Sequence, residues 1–378
     1  MLEGAEPIRV TIVTPFGSAA GGAEQWLLSV LRHTNALDVR AVLLADGDLR
    51  DELTAAGTDV VVIDTGADAA AIAAAGKHML KELRRHRPQV VWANGVKAQA
   101  VVGAPARLLG IPVVWVKHDH SHDATLAKPL GRLSTTVVAT ALEVGLPVGR
   151  DDLVVIEPER PPEPLAEADS LAALADVGYE RDERPAVVMI GRLVPYKGVD
   201  VGIRALAYET SGDWRLVVIG GDDAATPGEG QRLRQLAGSL GVADRVTFTG
   251  PLPAAGRLMG AFDALAVLTR PGQARAPDRE GYGITATEAM LAGRPVVVAG
   301  EGPIARRLRS GERPAGIVVR PADPLDTARA LATLTDPQVR AQMGAAGAAT
   351  ASVQPDAEAV AAAVVQVLRN AVAGGGTR

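Results

Sequence analysis

Thirteen short runs of aliphatic and β-branched residues, separated by longer Ala- and Leu-rich windows, limit the folds open to this 378-residue chain. In the first half the runs are 9–14, 39–44, 60–64, 89–92, 112–116, 136–139 and 153–156. In the second half they are 186–190, 215–219, 245–249, 264–268, 295–299 and 316–320. Several are continuously apolar rather than alternating, which suits strands covered on both faces. Strands alternating with helical windows predict βαβ units and parallel sheets. The class expected is therefore α/β, with two Rossmann-like domains.

Glu157–Pro164 holds four prolines in eight residues. Proline removes a ladder donor and restricts φ, so this stretch reads as an extended connection. The expected division is 1–157 as a first domain, 158–184 as a linker, 185–355 as a second domain, and 356–378 as a terminal helix with a frayed Gly-rich tail. Hydrophobic residues make up 47% of the chain and charged residues 22%, ordinary values for a soluble globular protein. With 3% aromatics and a net charge of −5, the chain offers neither a stacking platform nor an overall attraction for nucleic acid. Without cysteine, disulfides and thiolate metal sites are excluded. The N-terminus lacks the pattern of a secretory signal, and the greasiest stretch, Ala359–Leu368, is about half a membrane span, so a cytoplasmic location is expected. The basic run Lys77–Arg87 reads more readily as a solvated helix face than as a membrane contact, which is not expected here.

The chemistry-bearing residues cluster after strand ends. Glu280-Gly-Tyr-Gly-Ile-Thr-Ala-Thr-Glu288 places two carboxylates eight positions apart around a Gly-x-Gly turn that opens an apolar helix. A carboxylate at such a junction can grip hydroxyl groups, and the free N–H groups of a helix start can hold a diphosphate. Nucleotide sugars carry both kinds of group. A Glu288 left buried and unpaired would cost several kcal/mol, so it should find partners such as ribose hydroxyls. Gly191-Arg192-Leu-Val-Pro-Tyr-Lys197 follows another strand, and its two cations could clamp a diphosphate. Gly220-Gly221 forms a further strand-end turn.

In the first half, Gly17–Gly22 lies between a strand and a helix. With Asp46 it permits a nicotinamide oxidoreductase reading, although the glycine spacing departs from G-x-G-x-x-G. Lys117-His118-Asp-His120-Ser-His122 follows a buried strand. If that strand continued, the three histidines would share a face, and a metal-dependent hydrolase would be conceivable. No second ligand cluster accompanies them, so a cleft-lining histidine, His118, is the reading preferred and no metal is expected.

Taken in order, Gly-Arg-x4-Lys-Gly, Gly-Gly-Asp and Glu-x7-Glu followed by Ala-Met-x-Ala-Gly-x-Pro-Val-Val resemble the retaining GT-B glycosyltransferases of glycosyltransferase family 4, the glycogen-synthase-like type. The resemblance is strong from Val187 to Val298 and looser before Leu153. It implies two domains facing each other across a cleft, the second binding the nucleotide sugar and the first the acceptor. By that resemblance His118, Glu280, Arg192 and Lys197 form the catalytic set. Gly22, Gly191, Gly221, Gly283, Ile284, Thr285 and Glu288 would bind the donor. Asn94, Lys97 and His120 are assigned to the acceptor. The resemblance implies no cofactor beyond the nucleoside-diphosphate-sugar co-substrate, and the low basic character of the chain favours a small soluble acceptor such as a sugar, cyclitol or secondary metabolite over a bilayer lipid. A non-catalytic nucleotide-sugar-binding protein is the other alternative. The chain departs from the family at Glu157–Arg160, in the charged approach Pro271–Arg279, and at Gly300-Glu-Gly-Pro303.

Overall fold

The computed structural model describes residues 6–19, 21–223, 226–270 and 280–375. The approach to Glu280 at 271–279 lies outside them. The chain divides into two compact units, one comprising Met1–Glu159 with Pro355–Arg378, the other Arg160–Gln354.

The first unit is a seven-stranded parallel sheet: β1 (Ile8–Thr14), β2 (Leu37–Leu43), β3 (Asp59–Val62), β4 (Val90–Asn94), β5 (Val113–Lys117), β6 (Thr136–Ala139) and β7 (Val154–Val155). The spatial order is β3-β2-β1-β4-β5-β6-β7. The second unit holds β8 (Ala186–Ile190), β9 (Arg215–Ile219), β10 (Val246–Gly250), β11 (Ala264–Val267), β12 (Val296–Ala299) and β13 (Gly316–Val319). Its order is β10-β9-β8-β11-β12-β13. Every apolar run predicted as a strand forms one, with boundaries moving by a residue or two. Helices cover both faces, so β4, β5 and most of β8 are buried at every position. The sheet order reverses beside β1 in the first unit and beside β8 in the second, which is where open α/β sheets expose their strand ends to ligands.

Two segments differ from the sequence expectation. Of the predicted linker 158–184, residues up to 166 have no secondary structure, as the prolines require. Beyond them a helix, Glu167–Ala175, joins the second unit by burying Leu174 in its core, where Tyr179, just past the helix, is buried as well. The apolar spacing of Leu165, Leu171 and Leu174 drives this docking. Meanwhile the terminal helix Ala357–Gly375 belongs to the first unit. There Val360, Val364, Leu368 and Ala371 pack with Trp26, Trp92 and Val114. Its first 18 residues have a mean hydropathy of 1.2, so by length and composition alone it would also pass for a membrane span. The buried stripe at three- and four-residue spacing is that of a helix serving a protein core.

Candidate active site

Lys197 owes its position to a tight turn. After β8, Pro195–Lys197 forms one turn of 3-10 helix, ended by Gly198 at φ 73°. A Cβ on Gly198 would stand 2.2 Å from the Leu268 carbonyl oxygen, so glycine alone lets this turn press against the end of β11. The close approach carries the Lys197 ammonium to 2.5 Å from Glu280 Oε1. The Thr269 hydroxyl donates to the same oxygen at 2.5 Å. Burial pushes the Glu280 carboxyl up, but the Lys197 charge and hydrogen bond, the Thr269 hydroxyl and Arg192 together hold it below its ordinary value. Glu280 is therefore ionised at neutral pH.

This cluster borders a cavity within the second unit, lined among others by Gly191, Arg192, Lys197, Thr269, Glu280 and Thr285. Arg192 is exposed, and its guanidinium bonds to Asp223 and, at 3.1 Å, to the Tyr196 hydroxyl. Gly191 and Gly220 pack so closely that a Cβ on Gly220 would overlap the Gly191 carbonyl oxygen. Gly221 accepts from the Leu193 N–H at 2.8 Å, tying the two strand-end turns together. The helix Ile284–Leu291 starts at Gly283, and the N–H groups of Ile284 and Thr285 lie in its first turn, where a helix offers no internal acceptor.

Glu288, one turn further along, lies against bare backbone. A Cβ on Gly256 would fall 1.9 Å from its carboxyl carbon, so the glycine is what makes room for the acid. Among the described residues the Glu288 carboxyl has no hydrogen-bond or ion-pair partner, and burial pushes it up to about 7. That is the state expected of a group whose partners belong to a ligand. Glu24 in the first unit is also pushed up to about 7, by burial first and by Asp119, against hydrogen bonds from its own backbone and Thr14. Both folded-state values lie above the ordinary 4.5. The native state therefore binds more protons than the unfolded chain, and the stability this contributes is full below about 4.5 and lost as pH rises through about 7. Chemical denaturation from about pH 5 to about pH 8 should show stability falling in the wild type and a shallower fall in Glu288→Gln. An equal slope in the variant would contradict this account.

In the first unit, His118 follows the end of β5, and its Nε2 lies 2.7 Å from Asn94 Oδ1 at the end of β4. A carbonyl oxygen only accepts, so Nε2 carries the ring proton. Trp26 meets the ring edge-on at 5.4 Å. Burial, against Asp119 and with Lys117, lowers the imidazole to about 4, so it is neutral in the physiological range. Gly22 opens the helix Gly22–Arg32. Lys97 is half-buried in the first turn of the helix Val96–Leu108 and donates to the Thr65 carbonyl at 2.5 Å.

His120 is nearly buried and bonds Asp123 at 2.9 Å, while the wholly buried Lys117 reaches the same carboxylate at 2.6 Å. These contacts fix the loop after β5. Because β5 ends at Lys117 and His122 takes φ 57°, the extended geometry needed for three histidines on one face does not form. Asp46 sits at the surface, 2.9 Å from Arg50. Sequence reasoning passed over Thr269, Asp223 and Gly256. Thr269 carried a faint signal, as a polar residue just past an apolar strand, but Gly256 carried none.

Two parallel-sheet α/β units, each with helices on both faces and glycine turns at the strand ends, define a Rossmann-like α/β fold. Glycosyltransferases are among the solved structures that share this fold. Anabaena HepE in complex with UDP and glucose matches with a TM-score of 0.79 at 22% identity, over 96% of this chain and 99% of that one. Sucrose-phosphate synthase from Thermosynechococcus elongatus matches with a TM-score of 0.74 at 17% identity, over 97% of this chain and all of that one. More particularly, residues 175–350 carry a domain matching the family described as glycosyl transferases group 1. A D-inositol 3-phosphate glycosyltransferase of Acidothermus cellulolyticus is 37% identical over 163 residues, 42% of this chain. The chain spans 35% of that relative's length.

Proposed function

We propose that this chain is a retaining glycosyltransferase that moves a sugar from a nucleoside-diphosphate sugar to a hydroxyl of a small soluble acceptor. The observation that carries this reading is the Lys197–Glu280–Thr269 cluster beside the cavity and the start of the helix Ile284–Leu291. The group 1 glycosyl transferase match covers every one of these residues. The name of the Acidothermus relative favours a cyclitol among small acceptors.

In this reading Arg192, Lys197 and the N–H groups of Ile284 and Thr285 hold the diphosphate, helped by Gly191 and Gly221. Glu280 accepts hydrogen bonds from the transferred sugar, and Glu288 from the ribose. The bond between the anomeric carbon and the diphosphate oxygen breaks, and the bond to the acceptor oxygen forms on the same face of the sugar. The acceptor proton passes to the leaving diphosphate. Fixed positive charge and helix N–H groups neutralise the negative charge that grows there. The reaction so written requires no metal and no bound cofactor. Asn94 and Lys97 serve the acceptor.

The test is a thermal-shift screen of nucleoside diphosphates and nucleotide sugars, with and without magnesium, followed by a transfer assay with cyclitols. A ligand at one hundred times its dissociation constant stabilises by about 2.7 kcal/mol. Binding of NAD instead, or activity abolished by chelator, would overturn the proposal. For His118→Ala, the uncharged imidazole and its Asn94 contact predict transfer slowed by about 10²-fold with nucleoside-diphosphate affinity kept, because the ring lies in the unit that does not hold the diphosphate. Isothermal titration beside the kinetic assay separates the two effects, and a collapse of nucleotide affinity would count against the role given to His118.

A further inference from the structure

We infer that Arg307 is a positioning residue that fixes the Glu280–Gly283 loop, and so aims Glu280 at the donor sugar; this deepens the reading in the preceding section and rests on it. Arg307 lies on the short helix Pro303–Leu308 and is 4% exposed. Its Nη2 donates to the carbonyl oxygens of Tyr282 at 2.8 Å and Gly283 at 3.2 Å. Its guanidinium carbon stands 3.8 Å from the centre of the Tyr282 ring. The far end of that ring is tied as well, because Gln354 Nε2 donates to the Tyr282 hydroxyl at 2.6 Å. Ile304, from the same helix as Arg307, closes the space beneath Gly283.

The loop needs such anchors. It contains Gly281 and Gly283, and glycine loses more backbone freedom on ordering than any other residue. The two carboxylates it joins act on different parts of the donor, and productive geometry has to be held within about 0.5 Å. Glu288 is carried by the helix Ile284–Leu291 itself. Glu280 precedes that helix and depends on the loop. A planar guanidinium can bond carbonyl oxygens through its edge while its face stacks on a ring, which an ammonium cannot do. An aliphatic side chain of similar length could fill the same volume but would leave both carbonyls without this donor.

The experiment compares Arg307→Met, Arg307→Lys and Tyr282→Phe with the wild type, using UDP, GDP and ADP in parallel and the corresponding glucose donors. Arg307→Met is expected to lower kcat at least about 10-fold, with the Kd of the preferred diphosphate within about 3-fold. Hydrogen exchange of the amides at 281–285 should quicken at least about 10-fold, with protection elsewhere unchanged. Arg307→Lys should recover only part of kcat. Tyr282→Phe, which loses one hydrogen bond, is expected to cost about 2–3-fold and guards against a misfolded Met variant. Unchanged loop exchange and kcat in Arg307→Met would overturn the inference, as would a uniform loss of protection across the second unit, the mark of a general packing role. A wild type that binds no nucleotide sugar would show before any variant is made, and would sink the functional reading itself.

Discussion

Glu280→Gln is expected to lower kcat for sugar transfer by about 10²–10³-fold while leaving the fold intact. The carboxylate is held ionised, against burial, by Lys197, Thr269 and Arg192, and it borders the cavity that the proposed function assigns to the donor sugar. A neutral amide keeps its size and can still accept from Thr269, but it loses the negative charge. Part of the Lys197 positive charge is then freed to pull on any bound phosphate, so nucleoside-diphosphate affinity should hold or tighten slightly. Steady-state kinetics with calorimetric titration checks both, and a variant that keeps more than about a tenth of wild-type kcat would remove Glu280 from the chemistry.

Lys197→Ala is expected to act on both halves of the site, cutting kcat/KM for the donor by about 10²–10³-fold. The ammonium is one of the two cations assigned to the diphosphate, and it is also the partner of Glu280. Its removal leaves a partly buried acid with only the Thr269 hydroxyl and the more distant Arg192, costing about 1–3 kcal/mol of stability. The pH dependence should change sign with it. In the wild type the folded-state value of Glu280 is depressed, so its stabilisation is present above the ordinary 4.5 and is lost as pH falls. Without Lys197, burial dominates and the value rises. The variant then loses stability as pH increases, a reversal that urea titrations at several pH values would detect. Equal slopes in variant and wild type would show that Lys197 does not govern Glu280.

Much of the candidate site was legible because its residues sit where local signals change. Gly191, Gly221 and Gly283 each stand beside an apolar run that ends in a strand or before one that opens a helix, and the charged residues follow in the same few positions. The helix Glu167–Ala175 was hidden because four prolines just before it dominated the reading of that stretch. Thr269, Asp223 and Gly256 escaped notice for a different reason. Each matters through one contact with a residue distant in sequence, as Gly256 does by making room for Glu288. Arg307 resembled its neighbour Arg306, and nothing in an Arg-Arg pair says which guanidinium turns inward.

By itself the sequence determined the order and type of the elements, since apolar runs bounded by glycine and proline follow local periodicity, and it placed the reactive residue types at the junctions. Tertiary structure decided which of these residues meet and in what charge state. Lys197 and Glu280 are 83 positions apart and form one ion pair, whereas Glu288, eight residues from Glu280, has no such partner among the described residues. Two glutamates in one motif are thus driven in opposite directions, one below the ordinary carboxylate value and one up to about 7. The physical reason is that protonation depends on desolvation and on charges a few ångströms away in space, and neither quantity is carried by neighbours along the chain.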